Sequence, residues 1–303
     1  MSTFLSWASA SLDPISDFHQ LTTFPFMVNA LEAGTVVAVV AGVAGWFMVL
    51  RRESFAGHTL SLMAFPGATA ALLVGLPAAA GFFVFSGLGA LVIGAVGGGA
   101  GRHRGQESAV TGTVQALGLA CGFLFLSLYQ GVLANYENLL FGSFLGISRG
   151  QVLTLVIVGA VTLGFFAIVG RPLLFASVDE AVARARGVPT RALAVAFLLV
   201  LGLAVAATAQ ITGVLLVFAL LVAPAATAQL ITPRIGASLV LTVALGVLIT
   251  WVGLALAYFY NYPVGFYVTT VAFAVYLVAR LARSVVDSPM LAHRRARVAE
   301  AGA

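Results

Sequence analysis

The sequence has no lysine, one cysteine and only ten acidic residues among 303. A single cysteine, Cys121, excludes a disulfide framework and a thiolate metal cluster, and its place in an apolar stretch reads as packing. No G-x-x-x-x-G-K-[ST] phosphate loop occurs, so the chain carries no nucleotide-binding loop of that kind. The first twenty-odd residues hold Asp13 and Asp17 but no basic residue, so the positive n-region of a cleaved signal peptide is missing. Residues 1–24 are therefore expected to be a short external segment.

What the chain does have is apolar length. Hydrophobic residues make up 61% and charged ones 8%, and apolar runs long enough to cross a bilayer of about 30 Å, roughly 20 helical residues, recur throughout. The pattern predicts an all-α polytopic integral membrane bundle in the cell (cytoplasmic) membrane. About nine spans are expected, near 28–50, 58–77, 79–100, 110–133, 151–170, 191–209, 211–231, 236–260 and 264–282; eight would also fit, with one pair merged or re-entrant. With the N-terminus outside and the C-terminus cytoplasmic, every arginine except Arg149 falls on the cytoplasmic side, as the positive-inside rule requires. The net charge of +5 thus belongs to the loops and to the bilayer surface, and it implies no nucleic-acid partner. Residues 25–283 form the membrane domain and 284–303 a basic cytoplasmic tail. Small residues four apart, such as Gly94/Gly98 and Gly118/Gly122, let helices approach closely.

The longest loop between two spans, 171–191, is patterned as a helix. Ser177 followed by Glu180 fits a capping box, Asp179 and Glu180 suit the positive end of the helix dipole, and Arg184 and Arg186 suit the negative end. Gly187 and Pro189 supply a stop. The expectation is a cytoplasmic helix at about 177–187 of roughly 14 Å, too short to cross and shaped to dock into a partner or to lie as an ordinary loop helix.

Ionisable residues at membrane depth are functional candidates, because burying them in hydrocarbon costs several kcal/mol. His58 heads that group; Glu32, one turn or so into the first span, lines an entry or snorkels to the interface. Met63 and Met48 are thioether candidates or packing, and Pro224 frees a backbone carbonyl inside a span or simply kinks it. Tyr136, Glu137 and Arg149 sit where an external gate or a contact with an external protein would lie. His19, His103 and His293 form no metal-ligand spacing.

These pieces together resemble the membrane permeases of ABC-type zinc/manganese uptake systems, from about Pro25 to Arg283. The resemblance is carried by Pro25-Phe26-Met27, Val49-Leu50-Arg51-Arg52, Ser54-Phe55-Ala56-Gly57-His58-Thr59-Leu60-Ser61 with Pro66-Gly67, Leu140-Phe141-Gly142-Ser143, the Asp179-Glu180-Ala181 to Gly187-Val188-Pro189 helix, and Gly213-Val214-Leu215-Leu216 through Pro224. It implies a homodimeric pore, two cytosolic ABC ATPase subunits and an external substrate-binding protein. The helix near 177–187 would be the coupling helix that fits a cleft in the ATPase. The permease would be no enzyme and bind no cofactor, with a divalent metal ion, zinc or manganese, as its substrate.

One departure stands out. The family's usual segment entering span two reads Gly-Asp-Ala-Leu-Ser-His, whose acid and imidazole lie four apart on one helix face. Here those positions are His58 and Leu62. One imidazole remains per protomer, and two could face each other across a two-fold axis, a pairing that suits zinc, copper or nickel better than manganese. A packing role and a gating role for His58 stay open beside metal contact. A metal chelate or other organic cargo is the first alternative. An ion-coupled secondary carrier would need mid-membrane acids and inverted repeats, and an enzyme would need converging acid, base and nucleophile; none is evident in the sequence.

Overall fold

In the computed structural model, residues 23–97, 104–129, 147–260 and 263–301 are described. They form helices α1 (Pro25–Arg51), α2 (Ser54–Leu73), α3 (Ala78–Gly97), α4 (Arg104–Leu128), α5 (Arg149–Val178), α6 (Glu180–Ala185), α7 (Thr190–Thr212), α8 (Val214–Ile231), α9 (Ile235–Phe259) and α10 (Val264–Ala301), with no strand among the described residues. The all-α expectation therefore holds. Seven helices, α1, α3, α4, α5, α7, α9 and α10, are long and apolar enough to cross a membrane. The chain is a multi-pass protein of the cytoplasmic membrane.

The two remaining long helices fall outside that set for different reasons. α2 carries Ser54, His58, Thr59, Ser61 and Thr69, most of them turned into the bundle. α8 is apolar along its length but, at 18 residues, is the shortest of the long helices.

Packing explains why. α1 lies at the centre, in contact with α5, α7, α8 and α9, and most of its length is buried, with small residues such as Ala30, Ala33, Ala41 and Ala44 among the buried ones. α2 packs on α3, α4, α7 and α8. A helix that is apolar all round belongs in an interior. Small residues set the helix spacing: a Cβ placed on Gly45 of α1 would overlap the carbonyl of Leu221 in α8. Polar side chains then pin the crossings, Trp46 Nε1 donating to Ser238 Oγ at 3.0 Å, Gln229 Nε2 to the Trp46 carbonyl at 3.0 Å, and Thr59 Oγ1 to Gln115 Oε1 at 2.9 Å. In lipid such bonds contribute about 0.6 kcal/mol each on average.

Contacts also fix depth. At 1.5 Å per residue, Leu221 lies beside Gly45, about 9 Å from Arg51, which sets the start of α8 about 20 Å from that end. Independently, Arg51 lies over Phe197, which sets the end of α7 about 22 Å away. α1 runs on to about 39 Å. The α7–α8 turn at Gly213, with φ 75° and ψ 157°, therefore lies well inside the depth of the bundle. That explains the shortness of α8, and such backbone inside a membrane is tolerated only where protein or water surrounds it.

Candidate functional site

The arginine-rich end of the bundle is built around a tight elbow between α1 and α2. α1 stops because Arg52 takes a left-handed conformation, φ 61° and ψ 31°, while the Arg52 N–H donates to the Val49 carbonyl and the Glu53 N–H to the Met48 carbonyl, each at 3.0 Å. This is the Schellman arrangement, in which glycine normally occupies the left-handed position. Two residues later α2 begins, and His58 sits about one turn in.

His58 is half-buried, and its Nδ1 is buried with no hydrogen-bond partner among the described residues. Its ring meets Phe218 of α8 edge-on, centroids 4.8 Å apart. A buried polar nitrogen without a partner calls for an explanation, and a transient ligand is one. Leu62, one turn further on the same face, is half-buried and cannot ligate. Met63 points elsewhere: it packs on Gly89 of α3 and Gly118 of α4. Pro224 is buried in α8, where it removes the helical bond to the Leu220 carbonyl. Among the described residues, no three of His, Cys, Asp and Glu gather to hold a metal.

The short helix expected near 177–187 departs from expectation in detail. Ser177 does not cap it; Ser177 lies in the last turn of α5, donating to the Leu173 carbonyl at 2.6 Å and accepting from Arg51 Nη1 at 3.3 Å. The cap is Asp179, whose Oδ1 accepts from the Val182 N–H at 3.0 Å, so α6 is six residues long. Aspartate and serine are equally good caps, and the hold of Leu173 and Arg51 keeps Ser177 inside α5. Glu180 and Arg184 form the i,i+4 ion pair, both exposed. Gly187, φ 80°, ends the turn, and Pro189 stands before α7. Ala183 is fully buried against the bundle, whereas Val178 and Val182 are 73% and 43% exposed. The helix thus shows apolar and charged side chains together on its outer face.

At the opposite end, Glu32 and Arg149 line one cleft of about 510 Å³ with Asn29, Val152 and Val156. Asn29 Nδ2 donates to the Ile147 carbonyl at 3.1 Å, and a capping box between Ser148 and Gln151 starts α5 there. The structure brings these two candidates together but leaves Glu32 about 20 Å in depth from His58, too far to share an ion. Tyr136 and Glu137 lie outside the described residues. The residue that sequence reading missed is Arg51, whose contacts join three helices; in the sequence it registers only as one more interfacial arginine.

A family model described as the ABC 3 transport family matches residues 23–283. The chain is 29% identical over 262 residues to the manganese transport system membrane protein MntC of Halalkalibacterium halodurans, covering 86% of this chain and 89% of the relative. It is 30% identical over 258 residues to the chelated iron transport system membrane protein YfeC of Yersinia pestis, covering 84% and 86%. Among solved structures, PsaBC from Streptococcus pneumoniae in complex with Fab superposes with a TM-score of 0.76 at 28% identity, over 88% of this chain and 94% of that one.

Proposed function

The chain belongs to the ABC 3 transport family, and from that membership we propose that it is the permease subunit of an ABC importer that moves a divalent metal ion, zinc or manganese, into the cell. ATP hydrolysis takes place in a partner subunit; this chain is a conduit and no enzyme, and the metal is its substrate, with no resident cofactor. The observation that carries the reading is α6: a capped helix too short to cross, seated on the bundle through Ala183, with Val182, Glu180 and Arg184 turned outward and Val178, the last residue of α5, exposed beside them. Exposed valines beside charges at a membrane-protein surface fit a partner's cleft. Asp179, Gly187 and Pro189 fix its position rather than its contacts.

The permease works as a homodimer in the lipid bilayer, with cytosolic ABC ATPase subunits against α6 and an external substrate-binding protein at the end that carries Glu32 and Arg149. The N-terminus is outside and the C-terminal tail cytoplasmic. α2 crosses with α1, α3, α4, α5, α9 and α10, while α7 and α8 enter together from the cytoplasmic side as a re-entrant hairpin that turns at Gly213. The ion passes His58, and two such imidazoles across the two-fold axis supply two nitrogens to it. Pro224 shapes the wall beside that route.

A second reading keeps the machine and changes the cargo to a metal chelate. It is favoured by Leu62 on the His58 face and by the Phe218 ring against the imidazole, which make an apolar wall where a naked ion wants ligands. The deciding experiment is ATP-dependent uptake of a panel of free metals and metal chelates into vesicles that hold the permease with its ATPase and binding protein. Uptake of free zinc or manganese supports the first reading. Uptake of chelate alone supports the second, and uptake without ATP would sink both.

A further inference from the structure

We propose that Arg51 is the positioning residue that transmits movement of α6 to the helix that carries His58; this rests on the reading of α6 as the contact with the ATPase. Arg51 is the last residue of α1, and its side chain is only 12% exposed. Its Nε and Nη2 donate to Glu53 Oε1 at 2.9 and 2.7 Å. Nη1 donates to Ser177 Oγ at 3.3 Å. The face of the guanidinium lies over the Phe197 ring, 5.0 Å from its centroid.

Those three partners stand at three mechanically distinct places. Ser177 is two residues before the cap of α6, Phe197 is the eighth residue of α7, the helix that follows α6, and Glu53 is the residue just before α2, five before His58. One planar group therefore holds both flanks of α6 and the start of α2. Only a guanidinium fits all three at once, because it donates from several edges and stacks through its face; a lysine ammonium would keep the carboxylate and lose the rest.

The backbone beside it is strained to match. Among the described residues, three helices end in the same Schellman pattern, with Arg52, Gly75 and Gly187 in the left-handed position. Only at the elbow is that residue not glycine. Strain of this sort persists where the surroundings hold it, and it tends to gather at switching sites. The contact chain from α6 through Arg51 to Glu53 is continuous, and coupling along it is a measurable quantity.

The test uses the assembled transporter with Arg51→Gln, Arg51→Lys and Ser177→Ala. The readouts are co-purification of the ATPase subunit and the stimulation of its ATP hydrolysis by the external binding protein loaded with Mn²⁺ or Zn²⁺. Arg51→Gln is expected to keep the ATPase subunit and basal hydrolysis while stimulation falls about tenfold, within the span typical of linked sites. Arg51→Lys recovers only part of the loss. Ser177→Ala, which leaves α5 intact, lowers stimulation about threefold. Unaltered stimulation in Arg51→Gln overturns the proposal, as does full rescue by lysine. Should Arg51→Gln fail to fold, unaltered stimulation in Ser177→Ala overturns it. A wild-type complex that does not retain the ATPase, or is not stimulated, overturns the importer reading itself, and the proposal falls with it.

Discussion

Gly67 of α2 and Gly81 of α3 meet backbone to backbone: a Cβ built on either would overlap the carbonyl oxygen of the other. Neither carbonyl can swing away without breaking its own helix, so the two helices must part. Gly67→Ala and Gly81→Ala are each expected to destabilise the protein by about 1–3 kcal/mol, the usual cost of overpacking. Gly87 of the same α3 has nothing within 4 Å of its Cβ position, so Gly87→Ala serves as the control. Thermal unfolding in detergent measures all three, and a Gly81→Ala protein that melts with the control would contradict this crossing.

Arg52 occupies a backbone position that costs a residue with a Cβ about 1 kcal/mol. Arg52→Gly should therefore raise stability by up to about that amount, less the extra freedom that glycine gains in the unfolded chain. Arg52 is exposed, so little packing is lost. The result that contradicts this is a lower melting temperature for Arg52→Gly, which would mean that the arginine side chain holds the elbow.

The helices were legible in the sequence because apolar length is a local property: each expected span falls on a helix, although α4 lies five to six residues before 110–133, α5 runs eight residues past 170 and α10 runs nineteen past 282. What one dimension could not show was depth. The 211–231 segment reads as apolar enough for a span, yet its contact with Gly45 sets its start well inside the bundle. The short helix α6 was legible through its charges and its stop, but its cap was not, since Ser177 and Asp179 both satisfy the rule and only the contacts of Ser177 with Leu173 and Arg51 separate them. Arg51 itself was hidden for the opposite reason: orientation explains an arginine at the end of a span so well that nothing prompts a search for partners 126 and 146 residues away in sequence. Glu32 and Arg149 looked like unrelated candidates because 117 residues separate them, and folding puts them on one cleft.

Charge reversal on α6 separates docking from folding. Glu180→Arg places a cation beside Arg184 and at the wrong end of the helix dipole, and Asp179→Arg also removes the cap, costing about 1 kcal/mol of local helix stability. The spans themselves are untouched, so the double variant should melt within a degree or two of the wild type, as expected for about 1 kcal/mol in a chain of this size. Association with the ATPase subunit should nevertheless be lost on co-purification. Undiminished co-purification would remove α6 from the docking role.

His58 is the last and most discriminating target. Its buried Nδ1 has no partner among the described residues, so removing the imidazole breaks no hydrogen bond to them through that atom; the cost to folding is mainly the lost edge contact with Phe218. If the imidazole meets the ion, His58→Ala should cut metal uptake about tenfold or more with assembly intact, since even indirect partners of a bound metal are worth 10- to 100-fold. The complementary variant is Leu62→His, which places a second imidazole one turn away on the same face, at a spacing that allows two side chains to reach one ion. For a free-ion permease it should tighten the path for zinc and change the preference among metals. For a chelate permease it should do nothing useful, because the ligands of the metal arrive already filled, and His58→Ala would then leave chelate uptake close to normal. Transport assays on the two variants therefore divide the two cargoes even where the wild-type protein alone gives an ambiguous rate.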